Sequence, residues 1–176
     1  SQNKYDKALE YYNKSLDIYI NKLGKDHTDV AQSYLGIANV YYSQNKYDEA
    51  LEYYNKSLDI RINKLGKDHT KVAGSYNNIA ILYGSQNKYD EALEYFNKAL
   101  DIYLNKLGKD HPHVAISYGN IATIYEKQGK YNEAFEYYNK AFKIFKKRLG
   151  TSHSYTTDSL QSMIRIKKYL ARTKSL

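Results

Sequence analysis

The sequence predicts an all-α fold of about eight helices, and two observations carry that prediction. The first is an internal repeat: SQNKYDKALEYYNKSLDI at Ser1 returns with few changes at Ser43 and Ser85. A weaker copy surrounds Tyr131, so that equivalent tyrosines and histidines recur every 42 residues. The second is a spacing of apolar residues that matches the turn of an α-helix. Because one short helical unit cannot bury its apolar side alone, the copies are expected to stack into a solenoid.

Two helices are predicted in each unit. In the first unit, the first helix runs from about Tyr5 to Leu23 and is followed by Gly24, a residue suited to the left-handed backbone at a helix end. Either Asp26 or Thr28 is expected to cap the helix that follows. The inward stripe of the first helix consists of Tyr5, Ala8, Leu9, Tyr12, Leu16 and Leu23.

The second helix is predicted from about Asp29 to Tyr42. Its inward face consists of Val30, Ala31, Tyr34, Ile37, Ala38 and Tyr41. The tyrosines are expected to be core residues whose hydroxyl groups reach water or a backbone acceptor. In the third copy, Pro112 occupies a first helical turn, where the missing N–H group is tolerated. The tetrapeptide SQNK then forms a tight turn back.

The motif that joins these helices resembles the tetratricopeptide repeat, in the 42-residue variant seen in kinesin light chain. It reads LGKDHPHVAISYGNIATIYEKQGKYNEAFEYYNKA in the third and fourth copies. Its aromatic, small and aromatic positions fall on Tyr34, Ala38 and Tyr41. Asn45 and Asn87 stand where a turn Gly is usual, and Asn also tolerates the left-handed region.

The resemblance implies a right-handed superhelical solenoid of antiparallel helix pairs. The tandem units are predicted at residues 1–42, 43–84 and 85–126, with a partial unit at 127–150. Residues 151–176 fit the repeat poorly and are predicted to form a degenerate, basic capping helix. We expect four of its apolar residues to fold onto the helix of residues 131–148, namely Leu160, Met163, Ile164 and Leu170.

A comparison of the first two copies separates two faces of the second helix. The copies differ at nine positions, seven of them in this helix, and six of those seven cluster opposite the inward face. In tetratricopeptide solenoids that opposite face lines the concave groove, which holds peptides of partner proteins. By position, the resemblance predicts a peptide-binding groove lined by Gln32, Leu35, Asn39, Tyr42, Lys71, Asn77, Asn78, Ile81, His113, Ile116, Asn120, Thr123 and Glu126.

The chemistry of these residues suits a peptide. Asn side chains can donate to and accept from a partner's backbone, and Gly36, Gly74, Gly84 and Gly119 are expected to leave apolar pockets beside Leu35, Ile81 and Ile116. Relaxed drift on a solvated face is the alternative. A clamp for a terminal carboxylate is not expected, because this surface is nearly uncharged. Lys71 alone also makes a poor basic groove for acidic cargo peptides.

Basic residues are concentrated at the C-terminal end. Residues 1–126 carry 15 basic and 16 acidic side chains, whereas residues 127–176 carry 12 and 3. Such a patch attracts phosphates or acidic segments, so a basic surface that binds nucleic acid or an acidic partner remains an alternative. A solenoid cap also needs a polar outer surface. Only Tyr169 offers an aromatic ring beside these charges, and nucleic-acid binding is therefore not favoured.

No catalytic, metal or cofactor site is predicted. His27, His69 and His111 sit one repeat apart, too far to share a metal ion, and no nucleophile–base pair or phosphate loop emerges. No apolar run approaches the ~18 residues of a membrane span, and without cysteines or a signal peptide we expect a cytoplasmic protein. Because Ser1 opens within a unit, the chain is expected to continue upstream or to self-associate through its exposed N-terminal helix. A structural or self-assembling spacer remains a further alternative.

Overall fold

The computed structural model describes residues 2–173, and this part of the chain forms eight α-helices and no strand. They are α1 (Gln2–Leu23), α2 (Thr28–Ser43), α3 (Tyr47–Leu65), α4 (Thr70–Ser85), α5 (Tyr89–Leu107), α6 (Pro112–Lys127), α7 (Tyr131–Leu149) and α8 (Ser154–Thr173). The predicted all-α class and helix number are confirmed. The chain divides after Asn87 into two compact units, α1–α4 and α5–α8.

Within each unit, every helix packs against the next one in the chain. In the first unit, Val30 and Ala31 of α2 form a buried cluster with Ile60 of α3, and Leu16 of α1 packs against it. The hydroxyl of Ser57 donates a hydrogen bond of 2.7 Å to the backbone oxygen of Ala31. Small side chains at the centre of this contact bring the helix backbones close together, so that a side-chain hydroxyl reaches a neighbouring backbone.

The core of the second unit is shared by α6, α7 and α8. Ala122 of α6, Ala134 and Tyr138 of α7 and Ile166 of α8 form one buried cluster. Met163 of α8 packs against its edge. The degenerate last helix therefore contributes a fully buried side chain to the core, as Ile166 is only 1% exposed.

The prediction that Leu160 and Ile164 fold onto α7 is wrong. Their side chains are 40% and 46% exposed, whereas Met163 and Leu170 do pack there, as predicted. The residue that the sequence analysis missed is Ile166.

The 42-residue register explains this difference. It places Ile166 at the position of Ile124, which is also buried. It places Leu160 and Ile164 at the positions of Tyr118 and Ala122, which contact the helix that follows α6. Among the described residues no helix follows α8, so these two side chains lie at the surface.

Residues with left-handed backbone end the helices where the sequence predicts them. Gly24 has φ 87°, and its N–H group donates to the backbone oxygen of Ile20 at 3.0 Å. Asn45 and Asn87 have φ 59° and 61°, the conformation that Gly129 adopts at the equivalent turn. Asn tolerates this region better than other residues with a side chain, so the turn survives without Gly.

Histidine, and not the predicted Asp26 or Thr28, caps the second helix of each unit. His27 precedes α2 in extended conformation, and its Nδ1 atom accepts a hydrogen bond from the backbone N–H of Asp29. His69 and His111 cap α4 and α6 in the same way. His153 has the same contact at the start of α8. An acceptor here satisfies one of the free N–H groups of a helix start, which explains why the histidines recur with the repeat.

This cap makes the stability of the second unit depend on pH. Burial lowers the pKa of His111 from its ordinary value of 6.5, with His113 and Arg148 adding to the effect. The unfolded chain therefore binds the proton more tightly, and stability falls as the pH drops from above 6.5 through the folded pKa. Protonation of Nδ1 also removes the acceptor.

We expect His111→Asn, which keeps a capping acceptor without a titrating group, to match the wild type at about pH 7.5 and to exceed its stability at about pH 5. Urea unfolding at both values measures this difference. An equal decline of both proteins on acidification would contradict the assigned role of His111.

Tyrosine rings line a seam at the edge of the hairpin that α2 and α3 form. The ring of Tyr53 in α3 lies 5.8 Å from that of Tyr34 and 5.6 Å from that of Tyr41 in α2. Lys56 lies over the Tyr53 ring at 4.5 Å. Tyr34 and Tyr41 are only half-buried, whereas Val, Ala and Ile of α2 form the buried face. Tyr34 nevertheless packs against the buried cluster of Val30, Ala31 and Ile60, and Tyr54 is buried, as predicted for core tyrosines.

Candidate functional site

None of the thirteen predicted groove residues is buried. In the first unit, α2 carries Gln32, Leu35, Asn39 and Tyr42, and α4 carries Lys71, Asn77, Asn78 and Ile81. In the second unit, α6 carries His113, Ile116, Asn120, Thr123 and Glu126. The opposite face of α2 is closed to solvent, since Val30, Ala31, Ile37 and Ala38 are at most 1% exposed.

The space beside Gly36 in the first unit is filled. A Cβ atom added there would lie 2.3 Å from Cε1 of Tyr12, a residue of α1. The prediction that this glycine opens an apolar pocket is therefore wrong, and the Tyr12 ring takes that place. Gly119 of α6 differs, because an added Cβ atom meets no other atom within 4 Å.

Hydrogen bonds already occupy part of the first unit's polar face. The hydroxyl of Tyr54 donates to Oδ1 of Asn39 at 2.7 Å. Burial raises the pKa of Tyr54 to about 12, so this hydroxyl stays protonated at neutral pH. The hydroxyls of Tyr42 and Ser85 share a bond of 2.8 Å. The Oδ1 atom of Asn77, in contrast, is buried and accepts no hydrogen bond from the described residues.

Arg61 of α3 is a buried cation that the sequence analysis did not single out. It is 6% exposed and occupies the position at which the other copies carry Tyr19, Tyr103 and Phe145. Within the described residues it has no carboxylate partner. Its guanidinium donates to Oε1 of Gln32 at 3.1 Å and to Oγ of Ser75 at 2.8 Å, which ties α3 to α2 and α4.

Burial lowers the pKa of Arg61, yet a guanidinium stays charged at neutral pH. Taking a charge out of water is costly, and only neutral acceptors offset that cost for Arg61. We expect Arg61→Tyr, which restores the aromatic residue of the neighbouring copies, to raise the free energy of unfolding by about 1 kcal/mol. Chemical denaturation measures the change. A loss of stability would show that the bonds to Gln32 and Ser75 outweigh the desolvation of the charge.

In the second unit, α6, α7 and α8 surround an open cavity of about 250 Å³. The predicted groove residues Ile116, Asn120 and Thr123 of α6 line one side of the cavity, together with Gly119. Phe145 and Tyr138 of α7 form the floor and are 4% and 8% exposed. Tyr155, Asp158 and Ser162 of α8 line the other side. The cavity thus has an apolar floor between two polar walls.

A hydrogen-bond network fixes one end of this cavity. Tyr138 shares a hydrogen bond of 3.0 Å with Thr123, and its hydroxyl donates to Oε2 of Glu126 at 3.2 Å. Arg165 of α8 donates to both carboxylate oxygens of Glu126 at 2.9 Å. Burial raises the pKa of Tyr138, so the hydroxyl remains protonated. The predicted groove residue Glu126 is therefore neutralised by an internal ion pair.

The residues of α8 that line the cavity were missed from the sequence. The prediction treated this helix as a cap and assigned no groove positions to it. The 42-residue register nevertheless continues, because Asp158 takes the position of Ile116 and Ser162 that of Asn120. Carrying the register forward through the degenerate segment would have found them.

Neither a cluster of metal-ligating side chains nor a membrane-spanning helix occurs in residues 2–173. This part of the chain contains no group of three or more His, Asp or Glu residues that could hold a metal ion. It contains no helix with the length and apolar character to cross a bilayer.

A sequence profile described as "Tetratricopeptide repeat" matches residues 1–63, 46–105 and 71–147, and together these segments span most of the chain. The chain belongs to the tetratricopeptide repeat family. The resemblance drawn from the Tyr34, Ala38 and Tyr41 motif is thereby confirmed. No curated protein matches the chain in a sequence search.

Several solved structures are similar to this chain. BtubC (BKLC) from P. vanneervenii has a TM-score of 0.82 at 22% identity, over 97% of this chain and 68% of that one. A Podosopora anserina putative kinesin light chain with nearly identical TPR-like repeats has a TM-score of 0.78 at 21% identity, over 99% of this chain and 82% of that one. At these identities the likeness shows the fold alone.

Proposed function

We propose that this tetratricopeptide repeat chain is a non-enzymatic interaction scaffold that holds a peptide segment of a partner protein on its variable face. The observation that carries the proposal is the cavity of the second unit. There, positions that differ between the copies lie around one opening, while the packing positions of the same helix are buried. Proteins of this family generally act as protein-binding scaffolds.

The lining of the cavity suits an extended peptide. The amide of Asn120 offers a donor and an acceptor for a peptide backbone, and it makes no hydrogen bond with any described residue. Ile116 and Phe145 offer apolar surface to a side chain of the partner. A concave, mostly apolar site with a few placed polar groups is the usual form of a binding pocket.

Internal pairing weakens the alternative of a basic surface that binds nucleic acid or an acidic partner. Arg165 is bound to Glu126, and Lys147 is bound to the carboxylate of Asp110. The hydrogen bond from Lys147 lowers the pKa of Asp110, which keeps this pair charged. Arg148 donates to the backbone oxygen of Asp110. Lys174, one of the 12 basic residues of the C-terminal end, lies outside the described residues.

Self-association through α1 is a second candidate, favoured by the exposure of Tyr11. This ring is 70% exposed, whereas its counterpart Tyr53 lies between two tyrosine rings of α2. Light scattering over a concentration series tests it. Mass that rises with concentration in the wild type and not in Tyr11→Glu would support it, and a constant monomer mass would exclude it.

Peptide display against the immobilised chain tests the main proposal. The affinity of each enriched peptide is measured by fluorescence anisotropy for the wild type and for the double variant Ile116→Ala/Asn120→Ala. The double variant Lys143→Ala/Lys146→Ala, on the exposed face of α7, is the matched control. We expect about tenfold weaker binding for the first variant, since it removes an apolar contact and a hydrogen-bonding amide. Failure to enrich any peptide would contradict the proposal. So would a loss confined to the lysine variant with a steep dependence on salt.

A further inference from the structure

The cavity between α6 and α8 has a wall that the family motif does not provide. On the α8 side it is lined by Tyr155, Asp158 and Ser162, which come from the degenerate segment of the sequence. The ring of Tyr155 stacks on that of Phe145 with 5.2 Å between the ring centroids, so the aromatic surface continues from the floor on α7 to the wall on α8. This wall belongs to the particular chain and not to the repeat, so its chemistry can select a partner.

Asp158 is the single charged residue that lines the cavity. Its side chain is exposed, and within residues 2–173 it forms no ion pair or hydrogen bond. The nearest basic residue to Asp158 along α8 is Arg165, about two helical turns further on. That guanidinium is held by Glu126 through hydrogen bonds of 2.9 Å. The carboxylate of Asp158 therefore gives the opening a net negative charge.

The floor of the cavity calls for an apolar group. Phe145 and Tyr138 are almost fully buried, Ala115 is 0% exposed, and Ile116 lies beside them. The absence of a side chain at Gly119 keeps the space above this floor open, because a Cβ atom there would meet nothing within 4 Å. A volume of about 250 Å³ accommodates one aliphatic or aromatic side chain together with part of its backbone.

We propose that this cavity is a specificity subsite for a partner peptide in which an apolar side chain stands next to a lysine or arginine. The apolar side chain covers Phe145 and Tyr138, the backbone bonds to the amide of Asn120, and the cation pairs with Asp158. This inference rests on the proposed function, since it names the class of peptide that the groove selects.

The test uses the full chain and two synthetic, end-capped octapeptide libraries. Both libraries fix a central leucine; the following residue is lysine in one and glutamate in the other. Anisotropy titrations compare the wild type with Asp158→Asn, which removes the charge and keeps the shape. Because an exposed ion pair is weak, we expect the wild type to prefer the lysine library by about two- to fivefold. We expect Asp158→Asn to lose that preference.

Gly119→Leu tests the apolar part of the subsite, with Gly119→Ala as its control. The leucine side chain enters the cavity, whereas the methyl group of alanine leaves it open. Alanine and leucine both favour a helix more than glycine does, so we expect both variants to remain folded. Circular dichroism checks that a loss of binding is not caused by unfolding. We expect Gly119→Leu to bind the lysine library about ten- to a hundredfold more weakly, as the burial of one apolar side chain is lost. Gly119→Ala should bind like the wild type.

The outcomes separate the subsite from the scaffold function. Equal binding of both libraries by the wild type, or a lysine preference that survives in Asp158→Asn, overturns the subsite and leaves peptide binding in place. In a further outcome, the wild type and Gly119→Leu bind each library equally weakly, and display enriches no peptide. Both the subsite and the proposed function then fail.

Discussion

Ile121→Ala is expected to lower the free energy of unfolding of the second unit by about 2–5 kcal/mol. Ile121 is 1% exposed and is among the largest fully buried side chains of α6. Removing its three outer carbons loses their burial and leaves a cavity that close-packed neighbours cannot fill. Urea unfolding, followed by circular dichroism at 222 nm, roughly the helical minimum, measures the loss.

The adjacent residue supplies the control. Asn120 is half-exposed, lines the cavity, and makes no hydrogen bond with another described residue. Asn120→Ala should change stability by less than about 0.5 kcal/mol. Similar losses from the two variants would show that the buried and variable faces of α6 have been assigned incorrectly.

Ala122→Ile is expected to destabilise the second unit by about 1–3 kcal/mol or more. Ala122 is fully buried and lies in one cluster with Ala134 of α7 and Ile166 of α8. The contact between α6 and α7 is built around these small side chains, so the added carbons must push the helices apart or adopt a strained rotamer. Thermal and urea unfolding of the single variant measure the effect.

Ile164 is the matched control, because it holds the position equivalent to Ala122 one repeat later and is 46% exposed. The reverse change, Ile164→Ala, should leave stability within about 0.5 kcal/mol of the wild type. A loss of stability at Ile164 as large as that at Ala122 would mean that the Ile164 side chain is packed in solution, contrary to the structure.

The repeat made the helices, their turns and the buried face of α2 predictable. Periodic Val30, Ala31, Ile37 and Ala38 leave one arrangement in which each helix is covered by its neighbours, and the structure has that arrangement. Asn45 was correctly predicted to replace a turn glycine, since the backbone preference of a residue is a local property.

Contacts between helices were less predictable. Periodicity shows that Gly36 belongs to the variable face, but not that the ring of Tyr12 covers it. The bond from Arg61 to Gln32 joins residues 29 positions apart, and a substituted aromatic position gives no sign of it. The cap formed by His27 was missed because Asp and Thr are the commoner capping residues.

Nuclear magnetic resonance gives the most direct test of the claim that the variable face, and not the basic surface, receives the partner. A peptide enriched by display is titrated into the isotope-labelled full chain, and the amide shifts are mapped. We expect the largest shifts at Gly119, Asn120 and Ser162, which line the cavity of the second unit. Shifts concentrated at Lys143 and Lys147 on α7, with Asn120 unchanged, would contradict it.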